Sequence, residues 1–421
     1  MNSEDLALVT STCRDWLVEG PLAPILPSLI TTWRRQRYSD HTVAAYLRAM
    51  AHMAFWMKAE DLSLQALDKA LIRRFLDQHL PVCACPVPHQ SRPADAQAAA
   101  NHLLRLLRPD LGIADKVPEP SSPVAVELRQ FRFYLEETCG LAATTCDYRD
   151  AQVREFLTGQ FGDAPVDLRN LTPEAIEAFV MSFAGHWTPA SLHVLCGSLS
   201  SYLRFKALSG ERVEALRAAL PKPVVWRRTA LPKVLSEAQL GLFLNAFDRS
   251  TPIGRRDYAV ARCLVDLGLR GQEVANLTLD DLDWHSGTVT IRASKNQRVQ
   301  QLPLPTRTGE ALADYLREGR PATGLRSVFV RHRAPAETPL GIPAIRNIAN
   351  RAWMRCGLYG PFHNTHVLRH TLASRLQEAG TPLKEIADVL RHQDLDTTAG
   401  YIRVDREHLR SVALPWPGRH P

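Results

Sequence analysis

Toward the C-terminal end of this chain, residues suited to handling phosphate recur in order: Arg270, Lys295, His366, Arg369, His370, His392 and Tyr401. A guanidinium fork pairs two oxygens of one phosphate, a lysine brings a mobile charge and a proton, and imidazoles move protons near neutral pH. A tyrosine hydroxyl, with a pKa of about 10, attacks only where cations stabilise its phenolate and a base takes the proton. His366, Arg369 and His370 fall at i, i+3 and i+4 and share one helical face, with Asn364 or Thr365 placed to cap the helix. A zinc reading of that face fails. The protease helix needs Glu directly after its first His, Val367 stands there, and Arg369 would repel a cation. Arg270 and Glu273 lie one helical turn apart, a spacing that serves either a surface ion pair or an acidic support for the basic cluster. Lys295 by itself reads as a solvated turn lysine.

The order of Gly268-Leu269-Arg270, Lys295, His366-Val367-Leu368-Arg369-His370, Leu390-Arg391-His392 and Tyr401 resembles the tyrosine recombinase (phage integrase-type) family, across segment 233–421. The resemblance implies an enzyme that cuts and rejoins DNA site-specifically through a 3′-phosphotyrosine on Tyr401. Arg270 and Arg369 would hold the non-bridging oxygens, with Glu273 and His370 in support. His366 would act as general base, and Lys295 would protonate the departing 5′ oxygen. His392 would hydrogen-bond the transition state. No metal, ATP or other cofactor is implied. The implied partner is double-stranded DNA carrying recombination sites, bound by a homotetramer on two such sites. The extra N-terminal length favours a mobile element as the source. Two alternatives use much the same residues: a type IB topoisomerase-like enzyme that relaxes DNA, and a DNA-binding regulator without catalysis. One position departs from the pattern. The family usually places glycine where this chain has Arg391, which predicts an altered turn before His392.

Elements must position these residues. Proline-rich segments near Pro109–Pro123 and Pro221–Pro232 read as linkers, the second carrying Trp226-Arg227-Arg228. They divide the chain into an N-terminal helical domain (1–112), a helical core-binding DNA domain (124–220) and a catalytic domain (233–421). The fold class expected is mainly α, with helical N-terminal bundles and a mixed α/β catalytic domain of mostly helices and a small antiparallel sheet. Within the last domain a helix starts near Ser236. Trp284-His285-Ser286-Gly287 turns into an alternating strand at Thr288–Ile291, the chain turns again at Lys295-Asn296-Gln297, and Gln300–Leu304 forms a further strand. The two N-terminal segments share a pattern. Thr42…Tyr46 parallels Thr144…Tyr148, and Leu64, Leu67, Ile72 and Phe75 parallel Leu168, Leu171, Ile176 and Phe179. Leu104-Arg105 then parallels Leu203-Arg204, so the first domain reads as a duplicate of the second. Ordinary amphipathic periodicity is the competing account.

Composition is that of an ordinary globular chain, 45% hydrophobic and 23% charged, long enough for two or three cores. A net charge of +7 fits a polyanion partner without demonstrating one. Arg34, Arg35 and Arg37, with Arg227 and Arg228, are the basic groups expected to meet DNA phosphates. No run is apolar enough to span a membrane. The acidic start lacks the form of a secretory signal and the eight cysteines read as reduced thiols, so the expectation is cytoplasmic. His79, Cys83, Cys85 and His89 place four ligand-type side chains in one short segment. No finger has that spacing, so the expectation is a loop with buried thiols, and zinc stays open as the alternative.

Overall fold

Many of the helices begin where the sequence supplies a capping side chain, as at Thr10, Ser39, Ser122, Thr172 and Thr188. The computed structural model describes residues 3–83, 85–86, 93–110, 122–224, 233–292, 299–360 and 364–391. These fall into two compact units, Met1–Asp110 together with Ala230–Pro421, and Leu111–Thr229. The fold is mainly α with one small antiparallel sheet, as expected.

After a single helical turn at Ser3–Leu6, the first unit opens with α1 (Ser11–Glu19), α2 (Leu26–Arg35) and α3 (Asp40–Ala59). The Ser39 hydroxyl accepts from the Thr42 amide at 3.3 Å and so starts α3. A 3₁₀ turn (Leu64–Ala66) leads to α4 (Lys69–Arg73), which widens into a π turn (Arg74–His79), and α5 (Pro93–Asp110) completes the bundle. Trp33, Leu47, Met57 and Leu103 are fully buried at its centre.

The Leu111–Thr229 unit is a helical bundle with a core of its own. Helix α6 (Pro123–Phe133) runs into a π turn (Tyr134–Thr138) and is followed by the long α7 (Ala143–Phe161). A 3₁₀ turn (Leu168–Asn170), α8 (Pro173–Met181), the long α9 (Pro189–Leu208) and the short α10 (Glu214–Ala218) complete it. Its core contains a polar knot. Buried Lys206 pairs with Glu127 at 3.0 Å and Glu211 at 2.6 Å, while the Tyr202 hydroxyl donates to Glu127 at 3.0 Å. The buried charges are thus paired, as a low-dielectric interior requires.

The remainder of the first unit carries the phosphate-type residues. Helix α11 (Glu237–Asn245) starts at a capping box in which Ser236 and Gln239 satisfy each other's backbone amides. Helix α12 (Pro252–Asp266) runs through the core, and α13 (Gly271–Asn276) follows after a tight turn. Strands β1 (Leu282–Asp283), β2 (Thr288–Arg292) and β3 (Val299–Pro303) form an antiparallel sheet in that order, with Val289 opposite Leu302 and Ile291 opposite Gln300. Val289, Ile291 and Leu302 turn inward and are buried. Helices α14 (Thr306–Asp314), α15 (Ile342–Arg355), α16 (His366–Glu378) and α17 (Leu383–Leu390) enclose a core in which Phe243 and Trp353 stack 4.0 Å apart.

The N-terminal bundle also touches the segment after β3. The Ala336 amide donates to the Gln36 carbonyl at 2.8 Å, and Arg35 pairs with Glu337 at 3.5 Å. All eight cysteines are free, and among the described residues no helix is long and apolar enough to cross a membrane.

Candidate active site

The site is built on the turn between α12 and α13. Gly268 sits there at φ +56°, and a Cβ would lie 2.9 Å from Leu372 Cδ2 and 3.0 Å from Leu390 Cδ2. Both the backbone conformation and the close approach of α16 and α17 therefore require glycine. Its carbonyl oxygen is a convergence point: Arg369 Nη1 donates to it at 2.6 Å and Arg391 Nη2 at 3.3 Å.

Arg270 is the N-cap of α13, and Glu273 folds back onto it. The Arg270 amide donates to Glu273 Oε2 at 2.8 Å, and its guanidinium Nη1 donates to Oε1 at 2.9 Å. The Glu273 side chain is 6% exposed and that of Arg270 41%; the arginine is anchored by Glu273 through Nη1 and by the Arg391 carbonyl at 3.4 Å through Nη2, and remains partly exposed. This is the acidic support that the i,i+3 spacing allowed. Burial alone would raise the Glu273 pKa, but Arg391 and then Arg270 outweigh it and hold the carboxyl below its ordinary value.

On α16 the cap is Asn364, whose side-chain oxygen accepts from the His366 amide at 2.9 Å and the Val367 amide at 3.3 Å. The Thr365 side chain makes no capping bond. Thr371, one turn further on, is pinned as well: its hydroxyl donates to the Val367 carbonyl at 2.8 Å and accepts from the Leu235 amide at 3.0 Å. Arg369 is buried, while the His366 and His370 rings sit 6.4 Å apart on the same face. Desolvation, then the Arg369 and Arg270 cations, pull the His366 pKa below its usual value. His370 is lowered by burial, His366 and Arg369. Both imidazoles are therefore neutral at pH 7, the form in which a histidine accepts a proton.

Arg391 does more than its place in the sequence suggests. Far from distorting the turn, it occupies the left-handed position at φ 55°, ψ 46° and closes α17 where glycine would ordinarily stand. Its side chain, 6% exposed, donates to Glu273 Oε2 at 3.0 Å and Oε1 at 3.4 Å and to the Val389 carbonyl at 2.8 Å. Burial pulls its pKa down against the attraction of Glu273. A left-handed non-glycine residue costs about 1–2 kcal/mol, whereas stripping one partner from a buried ion pair costs about 3–5 kcal/mol. The pair wins. An arginine at a cap position, three motifs away from a carboxylate with a single local partner, was the available signal.

Lys295, His392 and Tyr401 lie outside the described residues, as do Arg227, Arg228 and His89. The strands flanking Lys295 are well anchored. Arg292 at the end of β2 pairs with buried Asp281 at 2.8 Å, and Gln300 on β3 donates to the Asp388 carbonyl of α17 at 2.9 Å. The N-terminal arginines are engaged with acids: Arg34 with Asp5 at 2.7 Å and with Asp40, and Arg35 with Glu337.

An anchored arginine, a buried arginine and two imidazoles of lowered pKa are brought together on converging elements. Residues 233–408 match the phage integrase family model. The chain is 36% identical over 324 residues to "Putative integrase/recombinase y4rA" of Sinorhizobium fredii (strain NBRC 101917 / NGR234), covering 76% of this chain and 78% of that one. It is 30% identical to tyrosine recombinase XerC of Oceanobacillus iheyensis, over 59% of this chain and 81% of the relative. Among solved structures, XerH recombinase bound to its palindromic difH substrate shares the fold with a TM-score of 0.55 at 18% identity, covering 82% of this chain and 94% of that one. The chain belongs to the tyrosine recombinase (phage integrase) family, whose members are DNA-cutting and rejoining enzymes of site-specific recombination.

Two outcomes follow from this geometry. Arg391→Gly relieves the left-handed backbone yet leaves Glu273 with Arg270 alone, so the variant should lose about 2–4 kcal/mol of stability in urea unfolding. A midpoint equal to or above wild type would show that the buried pair does not dominate. In NMR titration of the imidazoles, His366 should titrate below the ordinary value of about 6.5 and move upward in Arg270→Ala, because one depressing cation is gone. The acid limb of DNA cleavage should lie below the same value, since the base form persists to lower pH. Titration of His366 at or above an ordinary histidine would remove it as a neutral base at the depressed pKa.

Proposed function

We propose that this chain is a mobile-element recombinase that cuts DNA through a 3′-phosphotyrosine on Tyr401 and works as a homotetramer on two double-stranded sites. The observation that carries the reading is the convergence of Arg270, Arg369 and Arg391 on Glu273 and the Gly268 carbonyl, with His366 neutral beside them.

Tyr401 attacks a backbone phosphorus and the P–O5′ bond breaks, leaving a free 5′ hydroxyl and a phosphotyrosine that stores the bond energy. Arg270 and Arg369 hold the non-bridging oxygens, where preorganised donors do most for a developing charge. His366 takes the tyrosine proton, Lys295 gives one to the leaving oxygen, and His392 hydrogen-bonds the transition state. A positioned acid of this kind contributes typically about 10²–10⁴-fold. A 5′ hydroxyl from the second strand then reverses the attack, so no nucleotide cofactor or catalytic metal is used.

Assembly has a surface of suitable chemistry. A groove between α11, α12 and α16 has an apolar floor of Leu240, Leu244, Val265, Leu372 and Leu376 and charged sides that include Glu237, Arg307 and Arg375. The tail residues Leu409, Val412, Leu414 and Trp416 supply an apolar stripe that a neighbouring copy would seat there. Leu372→Arg should then stop the protein at dimers on DNA in analytical ultracentrifugation, and undiminished tetramers would reject this docking.

The N-terminal bundle is proposed as a duplicate of the core-binding unit, supported by their shared order of long helix, 3₁₀ turn, short helix and long helix. Thr42…Tyr46 falls in α3 and Thr144…Tyr148 in α7; Leu67 and Leu171, and Ile72 and Ile176, are buried in both. In an experimental structure, a superposition that leaves those pairs out of register would refute the duplication. Its proposed task is to hold DNA phosphates beyond the core site with Arg34, Arg35 and Arg37, while Arg227 and Arg228 do so in the linker. Replacing Arg34, Arg35 and Arg37 with alanine in the full chain should flatten the plot of log affinity against log salt by about 0.9 for each phosphate no longer neutralised. An unchanged slope leaves the bundle without that task.

The chemistry is tested on a nicked suicide substrate. Tyr401→Phe should bind DNA as wild type does and form no covalent adduct, and an adduct at wild-type level would end the tyrosine's role. Lys295→Ala should be slow on ordinary DNA and recover when sulfur replaces the 5′ bridging oxygen, because a thiolate leaves without a proton. Failure to recover would assign Lys295 another function. Relaxation of supercoiled plasmid lacking paired sites would favour the topoisomerase-like reading. Inverted repeats in the DNA flanking the gene would support the mobile-element origin, and their absence would count against it.

A further inference from the structure

The N-terminal bundle contains a second cluster of chemically capable side chains that the recombination site does not use. Donor atoms of His52, His79, Cys83 and Cys85 all lie within 4.8 Å of one another. His52 comes from the middle of α3, His79 ends the π turn after α4, and the two cysteines follow in the connection that leaves it. His52 Nε2 is 3.2 Å from His79 Nε2, which is 3.4 Å from Cys85 Sγ.

We propose that these four residues form a closed, tetrahedral zinc site that staples the π turn to α3. With Zn–N near 2.0–2.1 Å and Zn–S near 2.3 Å, the edges of a tetrahedron are about 3.3 Å for N···N and about 3.6 Å for N···S. The His52–His79 separation of 3.2 Å and the Cys85–His79 separation of 3.4 Å lie close to those edges, and the other donors, all within 4.8 Å, need only a small inward shift. Two thiols and two imidazoles are the donor set that a borderline-soft, tetrahedral ion takes. Binding releases two protons, Zn²⁺ plus two thiols giving a zinc dithiolate whose charge is zero. A neutral centre suits its surroundings, which are apolar.

Those surroundings form a built pocket rather than a chance meeting of loop residues. His52 is fully buried in a stretch otherwise supplied by Met50, Ala51, Met53 and Ala54, and among the described residues of the bundle no other polar side chain is buried so fully. Phe75 stacks on His79 at 5.5 Å and meets the His52 ring edge-on at 5.2 Å, while Trp56 covers His79 from another side. Aromatic walls of this kind fix both imidazole planes, while His79 and the two cysteines are half-buried and leave the ion an entry path. Four protein donors leave no open position, so the site is structural and has no part in the phosphate chemistry. The sequence offered His89 as the fourth ligand. It lies outside the described residues, and the fold brings in His52 instead, from far earlier in the chain.

The test uses the full chain, purified without a histidine tag under reducing conditions. Elemental analysis should find one zinc per chain, falling at least about tenfold in Cys83→Ser/Cys85→Ser and in His52→Asn. His89→Asn should keep its zinc. If His52→Asn fails to fold, the cysteine variant and the wild type decide. Added Co²⁺ should give wild type the strong visible absorption and thiolate charge-transfer band of a tetrahedral two-sulfur site, displaced by Zn²⁺. Chelation should open the 1–110 segment to limited proteolysis while cleavage of the suicide substrate by the same sample persists. Metal-free wild type that binds no cobalt, a Cys83–Cys85 disulfide, or zinc retained in the double-serine variant would each overturn the proposal.

Discussion

Everything at the catalytic site hangs on one buried carboxylate. Three guanidinium groups drawn close together repel one another by several kcal/mol even at an effective dielectric of about 20. Glu273 offsets this from beneath, taking Arg270 on one side and Arg391 on the other, while the Gly268 carbonyl takes Arg369 and the far end of Arg391. The three guanidinium groups are thereby held by acceptors from the protein itself, and Arg270 stays the most exposed of them.

That arrangement also explains why the imidazoles are useful. Burial first, and then the Arg369 and Arg270 cations proposed to hold the phosphate, keep the His366 pKa below its usual value. Under the proposed mechanism, negative charge developing beside it would relax that depression and make His366 a stronger base. The fold contributes rigidity. Arg270 is fixed by its own helix cap, His366 follows an asparagine cap, and Thr371 ties α16 to Leu235. Preorganisation of this kind keeps the cost of arranging the charges in folding rather than in the reaction.

The sequence was most legible where local chemistry decides structure. Ser236 and Gln239 form the expected helix start, Gly287 turns the chain before β2, and the paired strands occupy nearly the expected residues. The Arg270–Glu273 and His366–Arg369–His370 groupings were visible because their spacing is helical. What stayed hidden depends on partners distant in the chain. Arg391 gained its meaning from a carboxylate on α13, His52 from residues after α4, and Gln36 from the Ala336 amide. The π turns after α4 and α6 likewise had no local signature. For Arg391 and His52 the residue type was informative, but the partner could not be chosen from spacing; Gln36 acts through its backbone carbonyl, which no residue type announces.

The N-terminal arginines illustrate how such partners change a reading. Clustered in sequence, Arg34, Arg35 and Arg37 suggested a surface waiting for DNA. In the fold, Arg34 lies between Asp5 and Asp40, and Arg35 reaches Glu337 in the segment after β3. Those ion pairs are solvent-exposed, and exposed pairs contribute only about 0–1 kcal/mol each. A phosphate that releases condensed counterions on binding gains entropy that an internal carboxylate does not offer. Exchange of partners is therefore inexpensive for Arg34 and Arg35. For Arg391, desolvated against Glu273, the same exchange would strand a buried carboxylate, and it stays with the protein. Exposure, more than charge, separates an arginine available to DNA from one that holds the site together.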